Sequence, residues 1–263
     1  PNLKSLFPEF YNYFNNNEYS YIFIENINGI PLNKIVFGSS NLREEESYAQ
    51  WCKETSQKEK FKLLTLNFWD SVFANDMLIN VSIDETVKNL KTYYSKNFLN
   101  LNRRKRPPRL LSIFELFKST AFNDGLVSCD KIKKNDVDSL KWHFDNILKI
   151  DFNEDEWTPL IAKTPLILDR PDFQTNWADT TPTRLFSSTV FSVVSETLIT
   201  EGWSGPTPSL FYSEKSFKPV LYNHPMILFG QEGSNTWLEK IGYKTYHNYF
   251  NLDFDLEPDF LKR

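Results

Sequence analysis

Cysteine is nearly missing from this chain: Cys52 and Cys129 are the only two in 263 residues. Two thiols cannot staple a chain of that length, so a disulfide scaffold is excluded and both are expected to be reduced. Histidine is almost as scarce, with His143, His224 and His247 only. The three have no metal-ligand spacing, and a structural role is expected for each. Glycine numbers only 8. None of them builds a G-x-G-x-x-G or G-K-[ST] phosphate loop or a G-x-S-x-G elbow. No apolar run approaches the roughly 18 residues of a membrane-spanning helix. The start, Pro1 to Lys4, lacks the basic, then apolar, then small pattern of a secretory signal, so a cytoplasmic protein without a membrane span is expected. Positive charge does not dominate either. The 30 Lys+Arg face 34 Asp+Glu, a net charge of −4, which argues against coating nucleic acid by charge alone but leaves room for a local basic groove.

Aromatic residues are plentiful, at 16% with 23 Phe and 12 Tyr, beside 40% apolar and 24% charged residues. That composition is globular, and the length suits one large domain or two modest ones. Strands are expected at Ser20–Ile24, Lys34–Phe37, Leu63–Leu66 and Leu78–Val81, with helices from Arg43 through Trp51 and over Ile83–Tyr94. Strands that alternate with helices imply a parallel α/β sheet. The pattern restarts near Lys96. A strand at Asn97–Leu101, a basic loop from Asn102 to Arg109, a helix over Leu110–Ser119 and a strand at Leu126–Cys129 open a second Rossmann-like lobe. A strand at Thr189–Val194, a helix near Glu214–Tyr222, a strand at Met226–Phe229 and a helix ending near Gly242 follow. Residues Asp145 to Arg184 receive no assignment. The division expected is therefore 1–95 and 96–263.

Two segments carry chemistry. The loop places Arg103, Arg104, Lys105, Arg106 and Arg109 between a strand and a helix, where α/β sheets bind anions and where several guanidinium groups would grip a diphosphate. The same run reads equally as a solvated basic turn. In the second segment Ser213 is a candidate N-cap, with Glu214 and Lys215 in the first helical turn. Lysine there opposes the helix dipole and calls for an anion or a carboxylate partner. A local Glu–Lys pair beside a capped helix is the alternative. Glu196, at the end of the strand before it, faces the same crevice or is a solvated strand-end acid. The D-x-D tripeptides at Asp136–Asp138 and Asp253–Asp255 are short enough to arise by chance.

Taken in order, these segments resemble those of phage and viral glycosyltransferase-like proteins. The resemblance rests on FLNLNRRKRPPR at Phe98–Arg109, VVSET at Val193–Thr197, SEKSFKP at Ser213–Pro219, HPMILFG at His224–Gly230 and IGYKTY at Ile241–Tyr246. The same order is similar, more distantly, to the donor lobe of α-1,3-fucosyltransferases. It implies an α/β fold of two Rossmann-like lobes facing each other across a cleft (GT-B-like), with residues 1–95 on the acceptor side and 96–263 binding a nucleotide sugar. It further implies that Asn102, Arg103, Arg104, Arg106, Arg109, Glu196, Ser213, Glu214, Lys215 and Lys218 hold a UDP- or GDP-linked donor as co-substrate, with no cofactor and no obligatory metal.

The expected activity is sugar transfer to an acceptor hydroxyl, first a 5-hydroxymethylated pyrimidine in duplex phage DNA inside the host cytoplasm. A surface polysaccharide as acceptor, or a non-catalytic nucleotide- or nucleic-acid-binding module, are the alternatives. The general base is not identified by the sequence; Glu44, Glu45, Glu46 and Asp70 are candidates because a carboxylate suits deprotonation of a hydroxyl. Tyr48, Trp51 and Trp69 are candidates for stacking on a base or sugar ring.

Overall fold

The computed structural model describes residues 36–39, 41–54, 56, 62–65, 94–102, 104–168, 183–199, 210–258 and 262. The strands expected at Ser20–Ile24 and Leu78–Val81, and all of the helix over Ile83–Tyr94 except Tyr94, lie outside these. The chain divides into two compact units, Pro1–Phe68 with Thr200–Phe211 and Trp69–Ile199 with Tyr212–Arg263.

In the first unit, β1 (Val36–Ser39) pairs in parallel with β2 (Lys62–Thr65), and α1 (Glu44–Glu54) connects them. Asn41 starts α1. Its Oδ1 accepts the N–H of Arg43 at 3.1 Å and of Leu210 at 2.9 Å, while its Nδ2 donates to Glu44 Oε2 at 3.1 Å. Three glutamates in the first turn suit the positive end of the helix dipole.

The second unit is built on a four-stranded parallel sheet: β3 (Lys96–Asn102), β4 (Gly125–Cys129), β5 (Thr189–Ser195) and β6 (Met226–Phe229), in the order β4-β3-β5-β6. From β3 the chain steps to one side for β4 and returns to the other for β5. The order reverses between β3 and β5, and in parallel α/β sheets the region outside the carboxyl ends at such a reversal is where ligands bind. Adjacent residues of β3 bury against opposite layers, as the two-residue period of a strand requires. Phe98 joins a core under α2 (Pro107–Lys118), α3 (Lys134–His143) and α4 (Glu154–Lys163), where the Trp157 ring stacks on Phe114 at 4.0 Å. Leu99 packs on the other face with Leu185 and Phe186 of α5 (Thr183–Ser187), and Phe186 stacks on Tyr222 at 4.3 Å. Tyr222 follows α6 (Glu214–Leu221), the crossover to β6. A parallel sheet needs cover on both faces, and these helices supply it around β3.

Two details differ from the expectations. The basic loop ends at Arg106, because α2 starts at Pro107 and not at Leu110. Proline lacks the N–H that a first turn leaves unpaired, and its fixed φ already fits the helix. The unassigned stretch holds α4, whose start is capped by Asn153 Oδ1 accepting from the Asp155 N–H at 3.2 Å.

After β6, Gly233 takes a positive φ of 76° and α7 (Ser234–Lys240) begins. Asp255, from the C-terminal segment, is its remote cap. One carboxylate oxygen accepts the N–H and Nδ2 of Asn235, both at 2.8 Å, and the other accepts the N–H and Oγ1 of Thr236, both at 2.9 Å. The second acid of the Asp253–Asp255 tripeptide is thus occupied by the helix start. Asp255→Ala removes the cap and strands four donors. The expected outcome is a loss of roughly 2 kcal/mol of unfolding free energy in urea titration, and no loss would refute the capping role.

Candidate functional site

The site is assembled where β3 and β5 end. Glu196 follows β5 directly and has no solvent exposure. Its Oε1 accepts the Ser213 N–H at 2.9 Å and the Ser216 Oγ at 2.5 Å. Its Oε2 accepts the Thr197 N–H at 2.8 Å and the Ser213 Oγ at 2.7 Å, with Lys215 Nζ at 3.7 Å. Burial would raise the carboxyl, but the charge of Lys215 and the bonds from Ser216 and Ser213 outweigh it and hold Glu196 below the usual range. With both oxygens engaged by protein donors, Glu196 fixes the positions of Thr197, Ser213, Ser216 and Lys215.

Those groups open α6. Ser213 caps the helix, its Oγ accepting from the Lys215 N–H, and Lys215 Nζ donates to the same Oγ. Lys215 Nζ also donates to Thr197 Oγ1 at 3.0 Å and lies 3.5 Å from Glu214 Oε1. Arg109, in the first turn of α2 and only 5% exposed, donates from Nη2 to that same Thr197 Oγ1 at 2.9 Å. Two cations from two crossovers therefore meet on one hydroxyl. Burial first, then repulsion from Arg106, pulls Arg109 down to about 10, still charged at neutral pH. Burial lowers Lys215 from its usual value, against the attraction of Glu196 and with help from the charge of Arg109. The neighbouring carboxylates of Glu196 and Glu214 favour its charged form.

Arg109, Glu196, Ser213, Glu214 and Lys215 are thus gathered at one place. Arg106 and the exposed Arg104 lie close enough to lower Arg109 by repulsion and form the rim. Arg103 lies outside the described residues. Lys105 is turned away: its Nζ donates to Lys131 O at 2.7 Å and pairs with Asp136 at 3.0 Å, anchoring the loop to the start of α3. Asp136 is thereby engaged in structure. Lys218 lines a small cavity together with Leu99, Leu101 and Lys215. Asn102 is 1% exposed, and its Nδ2 donates to Asn100 Oδ1 at 2.5 Å. Asn102 Oδ1 and Arg109 Nε are buried without a hydrogen-bond partner. Buried polar atoms are rarely left so, and these two lie where β3 ends and α2 begins. Thr197 had no place among the sequence candidates. Its signals were adjacency to Glu196 and its place at the end of the VVSET run.

Other candidates fare differently. Glu44 is fully buried beside Asn41, whereas Glu45 and Glu46 are exposed and Glu46 pairs with Arg43 at 3.0 Å. Tyr48 is 5% exposed, so it offers no stacking face; as a residue of the inner side of α1 it belongs to the core. Trp51 lies in α1, and Trp69 and Asp70 fall outside the described residues. Burial lowers His143 to about 4 and also lowers His224, which sits between Ser192 Oγ at 2.8 Å and Thr189 O at 2.8 Å; His247 pairs with Glu239 at the surface. Burial pushes the Cys129 thiol up to about 12, which keeps it protonated and a poor nucleophile. No helix among the described residues is long and apolar enough to cross a membrane.

Because Glu196 is depressed in the folded state, its contribution to stability is fully present above the unfolded carboxyl value and is lost as pH falls through the folded one. Glu196→Gln should cost about 3–5 kcal/mol at pH 7, since it leaves Lys215 without its buried counter-charge. Urea titrations from pH 6 to pH 2 should then show a shallower acid decline for the variant than for the wild type; parallel curves would contradict the assignment. Compared with family models, curated proteins and solved structures, the chain matches none.

Proposed function

We propose that the chain is a glycosyltransferase that binds a UDP- or GDP-linked sugar at the carboxyl ends of β3 and β5. The observation that carries this reading is the meeting of Arg109 and Lys215 on Thr197 Oγ1, with Arg104 and Arg106 beside them. Among the described residues, four cations face two carboxylates there, Glu196 and Glu214, and one of those is saturated by protein donors. The dipole of α6 also has its positive end here, which favours an anion. A diphosphate fits that donor set: it offers only acceptors, and Arg109 can grip it with a fork while Lys215 supplies a point charge.

In the reaction the bond between the anomeric carbon and the diphosphate oxygen breaks, and its electron pair leaves with the nucleotide. Arg109 and Lys215 stabilise that growing charge, which lowers the barrier. The acceptor hydroxyl forms the new bond and gives its proton to a carboxylate of the acceptor-side lobe, 1–95 in a GT-B-like arrangement facing the donor lobe across a cleft. Side-chain cations neutralise the leaving group in this scheme. The favoured acceptor is a 5-hydroxymethylated pyrimidine in duplex DNA, because the exposed Arg104 and half-buried Arg106 extend the positive rim outward, where phosphate backbones are bound.

Labelled sugar should pass from a UDP- or GDP-sugar to duplex DNA containing 5-hydroxymethylcytosine and not to unmodified DNA, which lacks the hydroxyl. Lys215→Ala should weaken donor binding by roughly 1.5–3 kcal/mol, the range for hydrogen bonds to charged groups. Transfer to an oligosaccharide with both DNAs inert would move the acceptor to a glycan. Nucleotide binding without transfer or donor hydrolysis would leave a binding module.

A further inference from the structure

We infer that Thr197 is a positioning residue of the anion site: its hydroxyl oxygen sets the spacing of Arg109 and Lys215, and its proton is the donor left for the bound anion. The inference rests on the phosphate-binding reading above. A hydroxyl has two acceptor positions and one proton. Arg109 Nη2 at 2.9 Å and Lys215 Nζ at 3.0 Å fill both acceptor positions. The proton has no hydrogen-bond acceptor among the described residues.

The arrangement is unusual in charge. Two cations that repel each other would ordinarily share a carboxylate, and here they share a neutral oxygen. Glu196 stands within reach of Lys215 at 3.7 Å, yet among the described residues no carboxylate forms an ion pair with Arg109. The Thr197 oxygen therefore stands where a shared carboxylate oxygen would ordinarily stand, and it holds both donors together. The backbone holds it there, since the Thr197 N–H donates to Glu196 Oε2 at 2.8 Å. Two charge-assisted bonds into one oxygen polarise its O–H and strengthen it as a donor. Around the Thr197 oxygen the groups are then all donors: its own O–H, the Arg109 guanidinium and the Lys215 ammonium. Such a site accepts an oxygen that carries no proton, as in a diphosphate, and disfavours a hydroxyl-bearing neutral group of the same size.

Threonine also differs from its isostere in one respect only. Valine keeps the shape and removes the oxygen, whereas serine keeps the oxygen and removes a methyl. Binding of inorganic pyrophosphate by the full chain, measured by titration calorimetry, separates these. Thr197→Val should weaken binding about tenfold or more and Thr197→Ser no more than about threefold, which a loss of packing alone would not produce. In a Lys215→Ala background Thr197→Val should cost clearly less than in the wild type, because the two residues act as a unit. If Thr197→Val fails to fold by urea titration, Thr197→Ala replaces it in the same comparison. Wild-type protein that does not bind pyrophosphate overturns the anion site and the role of Thr197 with it. Wild-type binding that Thr197→Val leaves intact, or full additivity with Lys215→Ala, overturns the role of Thr197 alone.

Discussion

A carboxylate cut off from water has to be neutralised and hydrogen-bonded where it stands, and at Glu196 that requirement organises everything around the crevice. Its donors come from Thr197, Ser213, Ser216 and Lys215, so the end of β5 and the beginning of α6 are fixed to each other. Because the fixed element carries Lys215, the same bond network holds the lysine at the carboxyl end of the sheet. A buried ion pair of this kind is weak evidence for stability, but it is a strong device for holding geometry.

The sheet supplies the second half of the site. Had β5 been added beyond β4, the first turn of α2 and that of α6 would be separated by another strand. The reversal at β3 and β5 instead brings Asn102, Ser195 and the segments after them side by side. Asn100 Nδ2 donates to Val193 O at 2.8 Å and Ser195 Oγ to Ser112 Oγ at 2.7 Å, so polar side chains inside the layers tie β3 to β5 and β5 to α2. These bonds are worth little each, but they fix the distance across which Arg109 and Lys215 share one hydroxyl.

The overall acidity and the local positive charge are compatible because neighbours are sorted. Of the cations that follow β3, Lys105 is consumed by Asp136 and a carbonyl, while Arg104 and Arg106 lie near Arg109 of α2. A net charge of −4 therefore describes the surface average and says nothing of a site only a few ångströms wide, where screening by salt is weak.

The strands and helices of the second unit were legible from residues 97–101, 126–129, 189–194 and 226–229 because short apolar runs between turn residues declare themselves locally. So was Ser213 as a cap, since capping is a matter of two or three neighbours. Nothing local distinguished a buried Glu196 from a solvated strand-end acid, or Lys105 from the arginines beside it. The start of α2 at Pro107 was legible in principle and was hidden by the charge around it. Thr197 was invisible, because an ordinary threonine becomes a junction only when residues 88 positions before it and 18 after it arrive on its oxygen. Sequence by itself determined which segments form elements and which side chains carry charge, through interactions within a few residues. Tertiary structure alone decided burial, pairing and who shares whose hydrogen bond, since those depend on how the parallel strands are ordered and not on any stretch of chain by itself.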